Sequence, residues 1–256
     1  MKLYSLFTNQ HKIFKDEWFA PSIKDNFDVI IKEYQIDDEG EIGNLAFKNA
    51  MFLKVSTIIN AICDNFNDVI IYSDIDVQFF KPIKNYIENL IINFDLLIQR
   101  DSPFGVFCAG FMVIRCNQKT LSLFEAIKKR MKERDTHDDQ QIMNEILHYD
   151  LIESNYFNRI SIALARRWGN VISKLGISEN KNYELFTSLK NDFDVKTNHL
   201  PPIFFSGGTL TGKVWNPGDF LEIPSGILLH HANWTVGLKN KIKQLEHVRD
   251  IVSTII

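Results

Sequence analysis

Apolar residues recur with two different periods along the chain, and each period predicts its own kind of element. The run Val69–Tyr72 is apolar at every position, which is typical of a strand buried on both faces. Within Ala46–Cys63, apolar residues recur at steps of three and four, which predicts a helix with one buried face. The predicted strands are Lys2–Thr8, Phe27–Tyr34, Val69–Tyr72, Leu96–Gln99, Gly110–Ile114 and Gly226–His231. The predicted helices are Ala46–Cys63, Thr120–Met131, Asp138–Leu147 and Lys239–Ile251.

Strands and helices alternate in the first half of the chain, and irregular segments collect in the second half. The acidic stretch Asp37–Gly43 and the glycine-rich stretch Phe204–Gly218 are expected to be loops. No internal repeat and no Ser/Gly/Pro-rich linker is visible, so we expect a single domain. This order of elements predicts an α/β domain with a mostly parallel sheet, in which ligands bind beyond the carboxyl ends of the strands.

Composition argues against several functional classes. The 256 residues are 45% apolar and 24% charged with a net charge of −3, which gives no support for a nucleic-acid partner. The three cysteines form no CxxC pair, so neither a disulfide framework nor a zinc ribbon is indicated. No apolar stretch reaches the length of a membrane span, and the first residues lack the features of a signal peptide. We therefore expect a cytoplasmic protein with no membrane span.

The first candidate for chemistry is a pair of carboxylates directly after the buried strand Val69–Tyr72. Asp74 and Asp76 lie two residues apart, and a turn at this point would let both converge. Two carboxylates held close together repel each other unless a cation lies between them. Oxygen ligands at this density suit Mg²⁺ or Mn²⁺, and a diphosphate is a natural second partner of such an ion. The alternative is an ordinary solvated loop, since Asp-x-Asp alone is a common pattern.

A lysine shares the apolar face of the helix predicted before this strand. Lys54 lies seven residues after Phe47, almost two helical turns, so it points toward the core. A lysine on such a face needs an anionic partner or a path to water. It either extends its ammonium to solvent at the edge of the face, or holds a carboxylate or phosphate near Asp74 and Asp76.

Three later motifs each allow a structural and a functional interpretation. Thr136 with Asp139 predicts a capping box at a helix start, which would also present the next side chains to a cleft. His230 and His231 end a predicted strand, where His231 is either a structural residue or a metal ligand. The segment Gly207–Val214 nearly matches a P-loop but lacks the final Ser or Thr, so it is interpreted as a mobile loop over a bound ligand.

Taken in order, five segments resemble the nucleotide-diphospho-sugar transferases of the GT-A fold, with a looser similarity to the glycogenin/galactosyltransferase group. These segments are Phe52–Lys54, Ile71–Phe80, Cys108–Ile114, Asp139–Asn144, and His231–Gly237 followed by Lys241. The resemblance implies a single GT-A (Rossmann-like) α/β domain over residues 1–256, with a mixed, mostly parallel central sheet that contains one antiparallel strand. Residues 1–115 would form the nucleotide-binding half, and residues 116–256 the acceptor-binding, closing half.

The same resemblance implies a glycosyltransferase that uses Mn²⁺ or Mg²⁺ and mostly retains the anomeric configuration. The donor would be a UDP- or GDP-sugar, and the acceptor a hydroxyl group of a glycan, lipid or protein. The implied metal ligands are Asp74, Asp76 and His231, and the implied donor-binding residues are Thr8, Lys54, Asp74, Gly110, Gly237 and Lys241. Of the two implied catalytic residues, Asp139 would bind donor-sugar hydroxyls and Gln140 would lie beside the anomeric carbon.

One departure from the family pattern keeps two other functions open. The family often has Asn-Ser before the glycine of the third segment, where this chain has Cys108-Ala109. The polar contacts of those side chains to the donor sugar are missing, so the identity of the sugar is open, and a non-catalytic nucleotide-sugar-binding protein is an alternative. A nucleotidyltransferase is a weaker alternative, because Thr8–Lys12 lacks the glycines of a nucleotidyltransferase loop.

Overall fold

The computed structural model describes residues 1–35, 45–102, 106–136, 138–147, 191–209 and 212–255. The predicted loop Asp37–Gly43 lies outside these residues. Among the described residues, no helix has both the length and the apolar character needed to cross a membrane.

The strands of the described residues form two sheets, one large and one small. In chain order they are β1 (Lys2–Thr8), β2 (Asp28–Tyr34), β3 (Val69–Ser73), β4 (Val77–Phe79), β5 (Leu96–Arg100), β6 (Phe107–Arg115), β7 (Thr197–His199), β8 (Phe204–Ser206) and β9 (Leu229–His231). All six predicted strands are present, and their ends differ from the prediction by a few residues.

The central sheet has six strands in the order β2-β1-β3-β6-β5-β7. Strands β1, β2 and β3 are parallel to one another, and β5 is parallel to β7. Strand β6 alone runs antiparallel to both of its neighbours, β3 and β5. The expected mixed, mostly parallel sheet with one antiparallel strand is therefore confirmed.

The helices of the described residues are α1 (Ala20–Ser22), α2 (Leu45–Asp64), α3 (Lys84–Leu90), α4 (Gln118–Arg134), α5 (Asp139–Ile146) and α6 (Leu238–Ile255). Short turns of other helical types cover Asn9–His11, Phe14–Phe19 and Ile91–Asn93. The four predicted helices correspond to α2, α4, α5 and α6. The short elements were not predicted, because one or two turns carry too few residues to show a period.

Strand β3 is buried on both faces, as its apolar run predicts. Ile70 and Tyr72 face one apolar cluster, to which α2, α4 and α5 contribute. Ile71 faces a second cluster, which includes aromatic residues near the chain start and Leu245 of α6. Burial of each large side chain in such a cluster stabilises the fold by about 1.5–3 kcal/mol. Packing from both faces therefore fixes where β3 ends, and with it the position of the carboxylates that follow.

Two expectations are wrong in detail. The stretch Phe204–Gly218 was expected to be a loop throughout, but its first three residues form β8, which pairs in parallel with β9. Strand β4, which pairs with the other edge of β9, was not predicted either, since three-residue strands are defined by their neighbours rather than by their own period. The helix cap is Asp138, which accepts a hydrogen bond from the Gln141 N–H at 2.7 Å, whereas Thr136 only accepts from the Asp138 N–H at 3.2 Å.

Candidate active site

The turn between β3 and β4 is held on both sides by backbone hydrogen bonds. The Asp74 N–H donates to the Gly110 carbonyl of β6 at 2.7 Å. The Asp76 carbonyl accepts from the Ala232 N–H, just after β9, at 3.0 Å. The turn therefore lies where the large and small sheets meet, with its two carboxyl groups fixed between them.

Asp76 lies between two cationic or basic groups from the end of the chain. Its Oδ1 is 3.3 Å from His231 Nε2, and its Oδ2 is 2.5 Å from the Lys241 ammonium. Burial alone would raise the pKa of Asp76, but opposing charges, of which the Lys241 ammonium is the strongest, hold that pKa well below its usual range. Asp76 is therefore a carboxylate at neutral pH, despite being only 6% exposed.

The ligand atoms of Asp74, Asp76 and His231 come together in one place. One ligand atom from each lies within 4.8 Å of the others. His231 reaches this point because β9 pairs antiparallel with β4, which places His231 opposite Val77, the residue after Asp76. Burial raises the pKa of Asp74, against the opposing effect of Lys54.

Lys54 of α2 is buried between two carboxylates. Its ammonium is 3.2 Å from both oxygens of Asp74 and 3.2 Å from Asp139 Oδ2. Burial lowers the pKa of Lys54, but the Asp139 and Asp74 charges outweigh it, so the pKa is raised overall. With the side chain only 3% exposed, the ammonium lies inside the protein rather than at the solvent edge of the helix.

Two glycines are required for different reasons. A Cβ on Gly110 would lie 2.1 Å from His231 Cε1, so only glycine lets the histidine ring lie flat against β6. Gly237 has a φ of +84°, a left-handed conformation that glycine adopts without strain. Its carbonyl accepts from the Lys241 N–H at 3.1 Å, at the start of α6. Gly237 therefore sets the direction of the helix that carries Lys241.

The start of α5 places Asp139 and Gln140 against β6. Asp139 points at Lys54, and Gln140 Oε1 accepts from the Ala109 N–H at 3.1 Å. The Asp138 cap fixes this first turn, so the two side chains project from a rigid helix end. Gln140 is thereby held at Ala109, the residue before the glycine that lies close to His231.

The sequence matches the family model for nucleotide-diphospho-sugar transferases over residues 29–245. The chain belongs to this family. No functionally curated protein has a significant sequence match to it. The matched range contains every site residue described above.

Solved glycosyltransferases resemble this transferase in fold. One, "involved in the glycosylation of the major capsid of PBCV-1", has a TM-score of 0.50 at 9% identity, over 96% of this chain and 100% of that one. GlyE of Streptococcus pneumoniae TIGR4 has a TM-score of 0.47 at 11% identity, over 95% of this chain and 60% of that one. The bifunctional glycosyltransferase WbbM has a TM-score of 0.39 at 11% identity, over 56% of this chain and 36% of that one.

Thr8 ends β1 in the transferase and contacts a histidine that the sequence did not single out. Thr8 Oγ1 is 2.7 Å from His11 Nδ1. The pKa of His11 is lowered by burial and by Lys241, against an opposing effect of Asp76, so the ring lies within the electrostatic reach of both. Its position just past a strand end was the available signal, because such positions face the ligand site in parallel sheets.

Asp101 is a further site residue that sequence reasoning missed. It follows the end of β5 and accepts hydrogen bonds at 3.1 Å from Trp234 Nε1 and from Asn233 Nδ2. Burial raises the pKa of Asp101, against opposing effects of Trp234 and Gln140. Trp234 has a φ of +53°, an uncommon conformation for a bulky residue and one that recurs at functional sites.

The glycines of the segment that resembled a P-loop pack against this cluster. A Cβ on Gly208 would lie 2.3 Å from the Trp234 ring and 2.6 Å from the Asp101 carbonyl. A Cβ on Gly207 would lie 2.6 Å from the Asn233 carbonyl. These glycines serve the close packing of β8 on the site, and the expected closure of the segment over a ligand stays a prediction.

Proposed function

We propose that this transferase moves a sugar from a UDP- or GDP-sugar to a hydroxyl acceptor on a glycan or similar molecule, with Mn²⁺ or Mg²⁺ bound by Asp74, Asp76 and His231. Family membership supports glycosyl transfer from a nucleotide diphosphate sugar. The observation that carries the metal is the convergence of three ligand atoms within 4.8 Å at one strand end. Parallel sheets bind their ligands at this edge.

The donor set suits a divalent cation. Two carboxylates provide the oxygen ligands that Mg²⁺ and Mn²⁺ prefer, and an imidazole nitrogen is a better ligand for Mn²⁺ than for Mg²⁺. Three protein ligands leave positions for the oxygens of a diphosphate. The bound ion would offset the negative charge of the donor diphosphate.

Lys241 and Lys54 have different roles in this proposal. Departure of the nucleoside diphosphate builds charge on its oxygens, and an ammonium placed there stabilises that charge as it develops. Lys241 suits this role, since its side chain is 30% exposed beside Asp76. Lys54 is enclosed by Asp74 and Asp139, so we assign it to orienting those carboxylates rather than to contacting phosphate.

Asp139 and Gln140 would face the donor sugar. Gln140 is held by the Ala109 N–H at the start of α5, a helix end fixed by the Asp138 cap. An amide is a poor nucleophile, so we favour retention by attack of the acceptor hydroxyl on the face from which the diphosphate leaves. The bond from the anomeric carbon to the diphosphate would break as the bond to the acceptor oxygen forms, and the departing diphosphate would take the hydroxyl proton. The sugar would pass through an oxocarbenium-like state.

The deciding experiment removes one carboxylate. Purified wild-type protein and Asp76→Asn are incubated with a panel of UDP- and GDP-sugars, with and without Mn²⁺, and released nucleoside diphosphate is measured. Asp76→Asn should lower turnover at least about 10²-fold, because charge stabilisation of the leaving group is lost. Asp250→Asn, at an exposed position of α6, is the matched control. Unchanged turnover in Asp76→Asn would exclude the metal role.

A non-catalytic sugar-nucleotide-binding protein is the second candidate. The observation that favours it is Cys108-Ala109 on β6, in place of the Asn-Ser pair whose side chains the family resemblance assigns to the donor sugar. Such a protein would gain thermal stability with a nucleotide sugar and Mn²⁺ yet release no nucleoside diphosphate. Release of nucleoside diphosphate in the same samples would exclude it.

A further inference from the structure

Gln99 of β5 is a fully buried amide that joins the two sheets at the back of the site. Its Nε2 donates to the Phe204 carbonyl of β8 at 3.0 Å. Its Oε1 lies 3.1 Å from His231 Nδ1. The side chain is 0% exposed, so neither contact is shared with solvent.

The chemistry of its neighbours fixes which way the amide points. A backbone carbonyl such as that of Phe204 can only accept a hydrogen bond, so it must face the NH₂ group of Gln99. Rotating the amide by half a turn would press two oxygens together in a buried place. The Gln99 oxygen therefore faces His231.

The orientation of Gln99 in turn decides which nitrogen of His231 carries the proton. An amide oxygen accepts only, so His231 Nδ1 must donate to it. The other neighbour of Nδ1 is the Cys108 sulfur at 3.5 Å, a weak acceptor. The neutral ring then has its lone pair on Nε2, which lies 3.3 Å from Asp76 Oδ1. Lys241 contacts the other oxygen of Asp76, so Oδ1 and Nε2 face each other and could share a metal ion.

We propose that Gln99 is a positioning residue that holds His231 as the Nδ1–H tautomer, so that Nε2 is free to bind the metal ion. This inference rests on the proposed metal site. A partner on the second nitrogen is how proteins orient a ligating histidine, and losing it costs about 10- to 100-fold in metal affinity. Gly110 completes the arrangement by letting the ring lie against β6.

The test compares replacements of Gln99 that keep or remove the hydrogen-bond acceptor for His231 Nδ1. Gln99→Leu removes it, and Gln99→Met is a more flexible substitute if leucine does not pack. Gln99→Glu keeps an acceptor for His231, because at the alkaline pH of the measurement one carboxylate oxygen can accept from Nδ1–H, although the hydrogen bond to Phe204 is lost. The matched control is Asn65→Leu, which deletes another buried amide with two hydrogen bonds, to Tyr4 and to Ala61.

Two measurements are made on each variant. Nitrogen-15 spectra of the metal-free protein at alkaline pH report the tautomer of His231, which is assigned by comparison with His231→Gln. Electron paramagnetic resonance counts free Mn²⁺ and gives its affinity in the absence of any donor. Wild type and Gln99→Glu should show the Nδ1–H tautomer. Gln99→Leu should show proton density on Nε2 and bind Mn²⁺ about 10- to 100-fold more weakly.

The outcomes separate this inference from the proposed function. Gln99→Leu or Gln99→Met with the wild-type tautomer and the wild-type Mn²⁺ affinity would overturn the inference alone. A similar loss of affinity in Asn65→Leu would overturn it too, since general destabilisation would then explain both. A wild-type protein that binds no Mn²⁺ would overturn the metal site and this inference together.

Discussion

Lys241 and Asp76 lie 165 residues apart in the sequence, and their side chains meet at 2.5 Å. The contact joins the first turn of α6 to the turn after β3, so the last helix supplies a charge to the site built by the central sheet. Because the pair is partly enclosed, it is screened less than a surface ion pair.

Removing Lys241 should damage turnover more than stability. In Lys241→Met, the apolar stem is kept while the charge beside Asp76 and the leaving diphosphate is lost, so kcat/KM should fall about 10²-fold. Lys243→Met removes an exposed lysine from the same helix and should leave kcat/KM unchanged. Steady-state assays of both variants check this expectation. Equal effects in the two variants would contradict a specific role for Lys241.

Removing Lys54 should destabilise the fold. Lys54→Met leaves Asp74 and Asp139 buried without their shared cation, and breaking a buried ion pair costs about 3–5 kcal/mol. Urea unfolding measures this loss. Adding Asp139→Asn removes one of the two stranded charges and should restore part of the stability. A double variant no more stable than Lys54→Met would show that the two residues are not coupled.

Adding one methyl group at Gly110 should disturb His231. In Gly110→Ala the new Cβ would lie 2.1 Å from the ring, so the ring must move, at a cost of about 1–3 kcal/mol for overpacking. Mn²⁺ affinity should fall with stability. Gly226→Ala is the control, because its φ of +74° is strained for alanine while the surrounding space is open. That control should lose stability and keep Mn²⁺ affinity.

His230 should make stability depend on pH. Burial lowers the pKa of His230 to about 3 in the folded protein, from the ordinary histidine value of 6.5. The unfolded chain therefore binds the extra proton first, so this contribution to stability is lost as pH falls from about 6.5 toward 3, with a slope of up to about 1.4 kcal/mol per pH unit. His230→Phe, which can keep the stacking on Phe205, should flatten that part of the urea-unfolding profile. An identical pH profile in the variant would show that His230 does not cause this loss of stability at acidic pH.

Local sequence patterns were enough to predict the site residues whose positions depend on their neighbours in the chain. The apolar run of β3 predicted that Asp74 and Asp76 follow a strand end, and the helical spacing of α2 predicted that Lys54 faces the core. The resemblance to the transferase family added His231 and Lys241. These residues could be predicted because each follows from a strand end, a helix face or an ordered motif.

The residues behind the site could not be found in this way. Gln99 and Asp101 act through contacts to β8, β9 and the segment after β9, and no local period encodes which distant strand lies beside them. The three-residue strands β4 and β8 exist because β9 lies between them. The roles of Gln99 and Asp101 could be interpreted only when the order of the strands in the sheets was known.

The small sheet and α6 bring residues from the last part of the described chain to the site. All six strands of the central sheet come earlier in the chain than β9, the strand that delivers His231, and α6, the helix that delivers Lys241. A chain that ended before residue 226 would contain every strand of the central sheet, with Asp74 and Asp76, but it would lack His231 and Lys241. The proposed function would therefore require the small sheet and α6 as well as the central sheet.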